Sequence, residues 1–187
     1  MIDLTLPNRT GLPDALRVLL TDLPRASWEG HPRFEGLVRF WLERHMMFRQ
    51  LLDLMGQEAN AVLDADGDPR RFAQAISHYG RIFVGQMHEH HHIEDEHYFP
   101  ILRAMDDRVE TGFDILDRDH QALDGLLARF VSDSNAMIGA LDEPDPSRFQ
   151  ARFRDGLTSL HALIERHLAD EEDLIVPVIL KHGMGGF

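Results

Sequence analysis

Apolar residues recur every three or four positions along four long stretches of the chain, the period of an amphipathic helix. In the first stretch Phe34, Leu37, Val38, Trp41, Leu42, His45, Leu52 and Met55 share one face. They predict a helix over roughly residues 33–63. The second, roughly 69–104, aligns Phe72, Ile76, Tyr79, Phe83, Met87, His90, Glu94 and Ile101. The third, roughly 113–140, aligns Phe113, Leu116, His120, Leu123, Leu127 and Phe130. The fourth, roughly 147–181, aligns Phe149, Phe153, Leu157, Leu160, Ile164, His167, Glu171, Leu174 and Val178. Turn residues separate them: Asp64 to Pro69, Thr111-Gly112, and Glu143 to Ser147, which includes an N-cap candidate. No stretch alternates as a strand does. Four such helices joined by short turns predict an all-α fold, an up-down-up-down antiparallel four-helix bundle over residues 31–181. Residues 1–30 are expected to form an extension with a short helix between Pro13 and Leu20, and residues 182–187 a flexible tail.

Composition narrows what such a bundle does. The chain has 187 residues, enough to bury one full core. It contains no Cys, which removes disulfides, thiolate metal sites, iron–sulfur clusters and cysteine nucleophiles together. The formal net charge is −13, with no cluster of Lys and Arg to offset it. Nucleic acid and anionic membrane are therefore not expected partners. No apolar run reaches the roughly 18–20 residues of a membrane span. The start, Met1 to Pro7, has no basic region or cleavage pattern of a signal peptide, so a cytoplasmic location is expected.

Twelve His are an excess that calls for a metal or a proton switch, and position decides between these. The two halves of the chain repeat one pattern. His90-x-x-x-Glu94 precedes Pro100, and His167-x-x-x-Glu171 precedes Pro177, with five residues between Glu and Pro in each case. Each half also carries one His on an otherwise apolar face upstream, His45 and His120. Residues i and i+4 of a helix stand one above the other, so each HxxxE pair presents a nitrogen and a carboxylate to one point. Four imidazoles and two carboxylates then converge in an antiparallel bundle. Taken singly, a His on an apolar face is more often a satisfied core residue, and an isolated HxxxE is usually a solvated pair. Buried together without a metal, the six would be very costly. They suit two metals that share the carboxylates, with water, hydroxide or oxo completing the coordination. Nitrogen and oxygen ligands without sulfur suit iron, manganese or zinc.

The order H…HxxxE…H…HxxxE resembles the hemerythrin-like family, the HHE cation-binding domain. His90 to Pro100 and Asp119-His120-x-x-Leu123 are similar to that family's motifs, and the resemblance covers about residues 30–181. It implies a non-haem di-iron site with an oxo or hydroxo bridge, held by His45, His90, Glu94, His120, His167 and Glu171, the glutamates bridging. Manganese or zinc are the alternatives to iron. Two departures separate this chain from the oxygen carriers of the family. Those have a fifth His four residues after the one on the third helix, where this chain has Asp124, expected to stand behind an imidazole. They also place the last carboxylate five residues after its His, which selects Glu172. Asp124, Glu172 and His91 are therefore secondary candidates. The implied function is binding or sensing of a small diatomic or peroxide ligand (oxygen, nitric oxide or a peroxide). Alternatives are a di-iron oxidase or peroxidase, and a structural or regulatory bundle stapled by metal. No protein partner is indicated.

Other signals are weaker. His88-Glu89-His90-His91-His92 contains HExxH, the zinc-protease pattern, but a His tract generates it easily and leaves the other four ligands unexplained. The ferritin-type ExxH occurs at Glu89/His92 and Glu94/His97 without a counterpart in the fourth helix. His88, His91, His92 and His97 lie at helix angles away from His90 and are expected at the solvated surface, His91 and His97 at most on the rim of the site. The acidic residues after each HxxxE are expected to be solvated faces.

Overall fold

The computed structural model describes residues 3–63 and 68–184. Most of the turn expected over 64–69, and the last three residues of the expected tail, lie outside these. The described residues are helical, and no strand occurs among them. A short helix α1 spans Leu19–Asp22, flanked by single 3-10 turns at Asp14–Leu16 and Arg25–Ser27. Four elements are long: α2 (Leu37–Leu63), α3 (Pro69–Ile93), α5 (Glu110–Gly139) and α6 (Ser147–His182). Between α3 and α5, a π-helical turn at Glu94–Tyr98 runs into the short α4 (Phe99–Arg103). None of the helices is long and apolar enough to cross a membrane.

The helix limits have local causes. Helix α2 begins at Leu37, later than expected, because Gly36 turns the chain with φ 78°, a conformation that glycine adopts without steric cost. Asp68 accepts a hydrogen bond from the Arg70 amide at 2.9 Å, and Pro69 opens α3, where its missing N–H costs nothing. Helix α5 begins at Glu110, so Thr111-Gly112 is not the expected break. A first turn has no intrahelical amide bonds to lose, and Gly112 serves a second purpose: a Cβ there would stand 2.7 Å from Leu174 Cδ1. The Asp145 carboxylate accepts from the Ser147 amide at 3.1 Å where α6 starts.

The chain divides into two compact units. The first comprises Met1–Met46, His90–Gln121 and Glu165–Phe187. Its apolar core packs Trp28, Phe34, Val38 and Trp41 with Phe99, Phe113, Leu116, Leu174, Val178 and Leu180. Leu12 and Leu19 belong to the same core, so the N-terminal segment is packed into this unit. The second unit comprises Met47–Glu89 and Ala122–Ile164. Phenylalanine fills it: edge-to-face contacts join Phe48 to Phe83 (6.2 Å), Phe83 to Phe130 (6.3 Å) and Phe72 to Phe153 (5.6 Å).

Candidate metal centre

The heptad spacing that buries Val38 and Trp41 on α2 carries on to His45, which is wholly buried. On α3 the buried stripe Phe83, Met87, His90 and His91 leads to Glu94, the first residue of the π-helical turn. On α5 the stripe Phe113, Leu116, His120 delivers His120, and on α6 the stripe Leu160, Ile164, His167, Glu171 delivers an imidazole and a carboxylate. All seven polar side chains lie in the first unit and are at most 8% exposed.

They form two groups. His45, His90, Glu94 and Glu171 offer ligand atoms within 4.8 Å of one another, and so do His91, His120 and His167. The two glutamates lie against both groups. Glu94 places Oε1 3.0 Å from His90 Nε2 and Oε2 3.6 Å from His120 Nε2. Glu171 Oε2 is 3.4 Å from His45 Nε2 and 3.7 Å from His167 Nε2. His91 stacks on His120 with ring centres 4.0 Å apart and planes 11° apart.

Many of these atoms have no hydrogen-bonding partner among the described residues: Nε2 of His45, His120 and His167, both nitrogens of His91, both oxygens of Glu94, and Glu171 Oε2. A buried donor or acceptor left so is expensive, and native proteins seldom tolerate several in one place. Lone pairs of imidazole and carboxylate converging in a buried space match the ligands that divalent first-row metals take. The residues present therefore fit metal ions.

The electrostatics agree with that fit. Burial, then the adjacent Glu171, pushes the Glu94 carboxyl well above its ordinary range. Burial would also raise Glu171, but the charge of His45, with the polar groups of Glu94 and His90 close by, holds it well below the ordinary value. Burial lowers His90 to about 4, lowers His167, and with His120 and His167 drives His91 far down. His45 alone is raised: Glu171 and Glu172 outweigh its burial. His90, His91 and His167 are thus held neutral, the state in which an imidazole takes a cation, whereas Glu94 and His45 release protons when one binds.

Carboxylates behind the rings fix their orientation. His45 Nδ1 lies 3.0 Å from Glu172 Oε1, His120 Nδ1 2.8 Å from Asp95 Oδ1, and His167 Nδ1 3.4 Å from Asp119 Oδ2. A carboxylate that accepts the Nδ1 hydrogen leaves the Nε2 lone pair free to point inward. The Trp41 indole donates to Glu171 Oε1 at 3.2 Å.

A family model described as the hemerythrin HHE cation binding domain matches residues 36–179. The chain belongs to this family. Neither the curated proteins nor the solved structures contain a match to it.

Within this hemerythrin domain the six residues expected to converge do so: His45, His90, Glu94, His120, His167 and Glu171. Glu172 stands behind His45, with Glu171 in the ligand group. Three expectations need correction. His91 does not face solvent; it is 4% exposed and stands among the ligand atoms. Its position four residues after buried Met87 and three before Glu94 is a stripe signal that the His tract obscured. Asp124 does not stand behind an imidazole. Its side chain is 64% exposed and lies 3.6 Å from His88, because the buried stripe of α5 passes from His120 to Leu123 and Leu127. The acidic residues after Glu94 and Glu171 are not simply solvated: Asp95 supports His120, and Glu172 and Asp173 are 6% and 14% exposed and paired. The HExxH residues His88, Glu89 and His92 all face solvent. Asp119 behind His167 and Trp41 at Glu171 went unread; Asp119 was visible only as the neighbour of His120.

Proposed function

We propose that the chain is a non-haem di-iron protein on an up-down-up-down four-helix bundle, binding or sensing oxygen, nitric oxide or a peroxide. Its ligands in this reading are His45, His90, His91, His120 and His167, with Glu94 and Glu171 shared between the irons. The oxo or hydroxo bridge implied by the family belongs to the same reading. The observation that carries it is the pair of adjacent ligand groups with both glutamates lying against each. A single-metal site would need no such sharing. Iron supplies a redox-active centre able to exchange charge with a small ligand. The protein's own residues hold it: the carboxylates behind the rings set each imidazole's tautomer, and Trp41 orients Glu171.

A cavity of about 50 Å³ reaches Glu94 and His90 between Leu37, Phe40, Trp41 and Tyr98. A space of this size admits a ligand as small as water, a diatomic or a peroxide. Its walls are mainly apolar, with Arg44 the cationic residue among them. The same cavity supports access to the centre and so weighs against a purely structural metal staple. An oxidase or peroxidase using these residues is the second reading.

The test is elemental analysis of protein purified without added metal, with visible spectra in air and after reduction. Two irons per chain and an absorption that changes on reduction and returns with oxygen are the expected result. Zinc alone, or no uptake of ferrous ion under anaerobic conditions, would remove the redox reading. A reduced protein that consumes oxygen or peroxide catalytically would favour the enzyme.

A further inference from the structure

Two of the carboxylates behind the imidazoles are held by arginines from the N-terminal segment, which precedes residues 36–179 matched by the family. Arg9 is 4% exposed. Its guanidinium grips Asp119 with both Nη atoms, Nη1 to Oδ1 at 2.8 Å, and Asp119 in turn supports His167. The Arg9 Nε donates to Asp170 Oδ2 at 2.8 Å, and the Leu12 amide donates to Asp170 Oδ1 at 2.8 Å. Arg25 repeats the arrangement elsewhere on the site. Its Nη1 donates to Glu172 Oε2 at 2.7 Å while Glu172 Oε1 meets His45, and its Nε donates to Asp173 at 2.8 Å. Leu12, Leu19 and Trp28 bury the segment between and beyond these arginines in the core. The third supported ligand, His120, has Asp95 behind it, 40% exposed.

We propose that Arg9 and Arg25 are positioning residues of the metal centre, so that the N-terminal segment clamps His167 and His45 onto their ligand groups through Asp119 and Glu172. The inference rests on the metal-binding reading above. The Arg9 fork fixes both oxygens of Asp119 in one plane, and Arg25 holds one oxygen of Glu172 while the other meets His45, restraint that a solvated carboxylate lacks. The carboxylate so fixed holds one imidazole tautomer and one ring orientation, and with them the direction of the Nε2 lone pair.

The full-length chain is titrated anaerobically with ferrous ion in competition with a chelator, and with Co²⁺ to record its ligand-field spectrum. Arg9→Gln leaves two buried aspartates without a counter-charge and endangers folding, so Arg25→Gln carries the test; Arg25 is 46% exposed. Arg33→Gln is the control: Arg33 ties the same segment to the carbonyls of Leu180 and Lys181 and touches no carboxylate behind a ligand. Arg25→Gln is expected to weaken ferrous binding about tenfold and to alter the Co²⁺ spectrum, while Arg33→Gln changes neither. Equal weakening in both variants, or wild-type affinity and spectrum in Arg25→Gln, would show that the segment only stabilises the fold and would overturn the inference while leaving the metal centre intact. A wild-type chain that takes up no metal would overturn the functional reading and this inference with it.

Discussion

The interiors of the two compact units are filled in opposite ways. The unit built on Met47–Glu89 and Ala122–Ile164 buries a chain of phenylalanines, Phe48, Phe83, Phe130, Phe153 and Phe72, whose rings meet edge to face except for the tilted pair Phe130 and Phe153. The other unit places seven imidazole and carboxylate side chains, most with ligand atoms lacking any partner among the described residues, beside an apolar core. An apolar interior is complete in itself, since removal of its surface from water is the stabilising process. A polar interior of this kind is complete only when something accepts its lone pairs, because the same burial leaves each unpaired group at a cost. Breaking a local rule of folding in one region, while the other obeys it throughout, is how a protein spends stability on a site.

The comparison can be broken most severely by paired truncations. His167→Ala is expected to abolish stoichiometric metal binding, read by elemental analysis, because it removes a ligand from the group of three. Phe83→Ala should leave metal stoichiometry unchanged and cost about 3–5 kcal/mol in denaturant unfolding, since Phe83 is wholly buried. If Phe83→Ala emptied the centre while His167→Ala did not, the division of labour between the units would fail.

A smaller effect of opposite sign is expected at Glu94. Burial and Glu171 already push this carboxyl upward. Glu94→Gln should therefore raise the stability of the metal-free protein by roughly 1 kcal/mol while weakening metal binding. A metal-free variant less stable than the wild type would show that the buried carboxylate helps the fold.

The pH dependence of the metal-free protein sharpens the same point. Burial, His120 and His167 hold His91 far below the ordinary histidine value. The unfolded chain takes a proton at His91 below about pH 6.5, and the folded chain does not, so this group's contribution to stability falls as the pH falls. His91→Leu should accordingly lose less stability than the wild type between about pH 7 and pH 5, as followed by chemical denaturation. Equal losses would mean that His91 accepts its proton in the folded state.

The smallest effect belongs to Asp124. With its side chain 64% exposed and near His88 only, Asp124→Ala should change stability by less than about 0.5 kcal/mol and leave metal content as it was. A loss of metal would return this residue to the centre.

Periodicity and spacing carried the helices and most of the ligand set. The stripes through His45, His120 and the two HxxxE pairs mark faces, and a face is a local property, readable wherever 3.6 residues per turn applies. The family resemblance rested on the same residues, and the match over 36–179 agrees with it. Where the pattern was local but ambiguous, reading failed. His91 sits in a tract of His at four different helix angles, and only the packing of α3 selects which two turn inward. Asp124, four residues after His120, has ligand spacing, yet the stripe of α5 moves the other way round the helix.

The sequence by itself determined the helical class, the repeat, and the chemistry of the donors, because those follow from residue type and helix period alone. Only the tertiary structure decided what stands behind each ligand: Glu172 at His45, Asp95 at His120, Asp119 at His167, and Arg9 and Arg25 beyond two of these. Those contacts join residues 25 to 147 positions apart, and no periodicity in a chain records which side chains distant segments will bring into hydrogen-bonding contact.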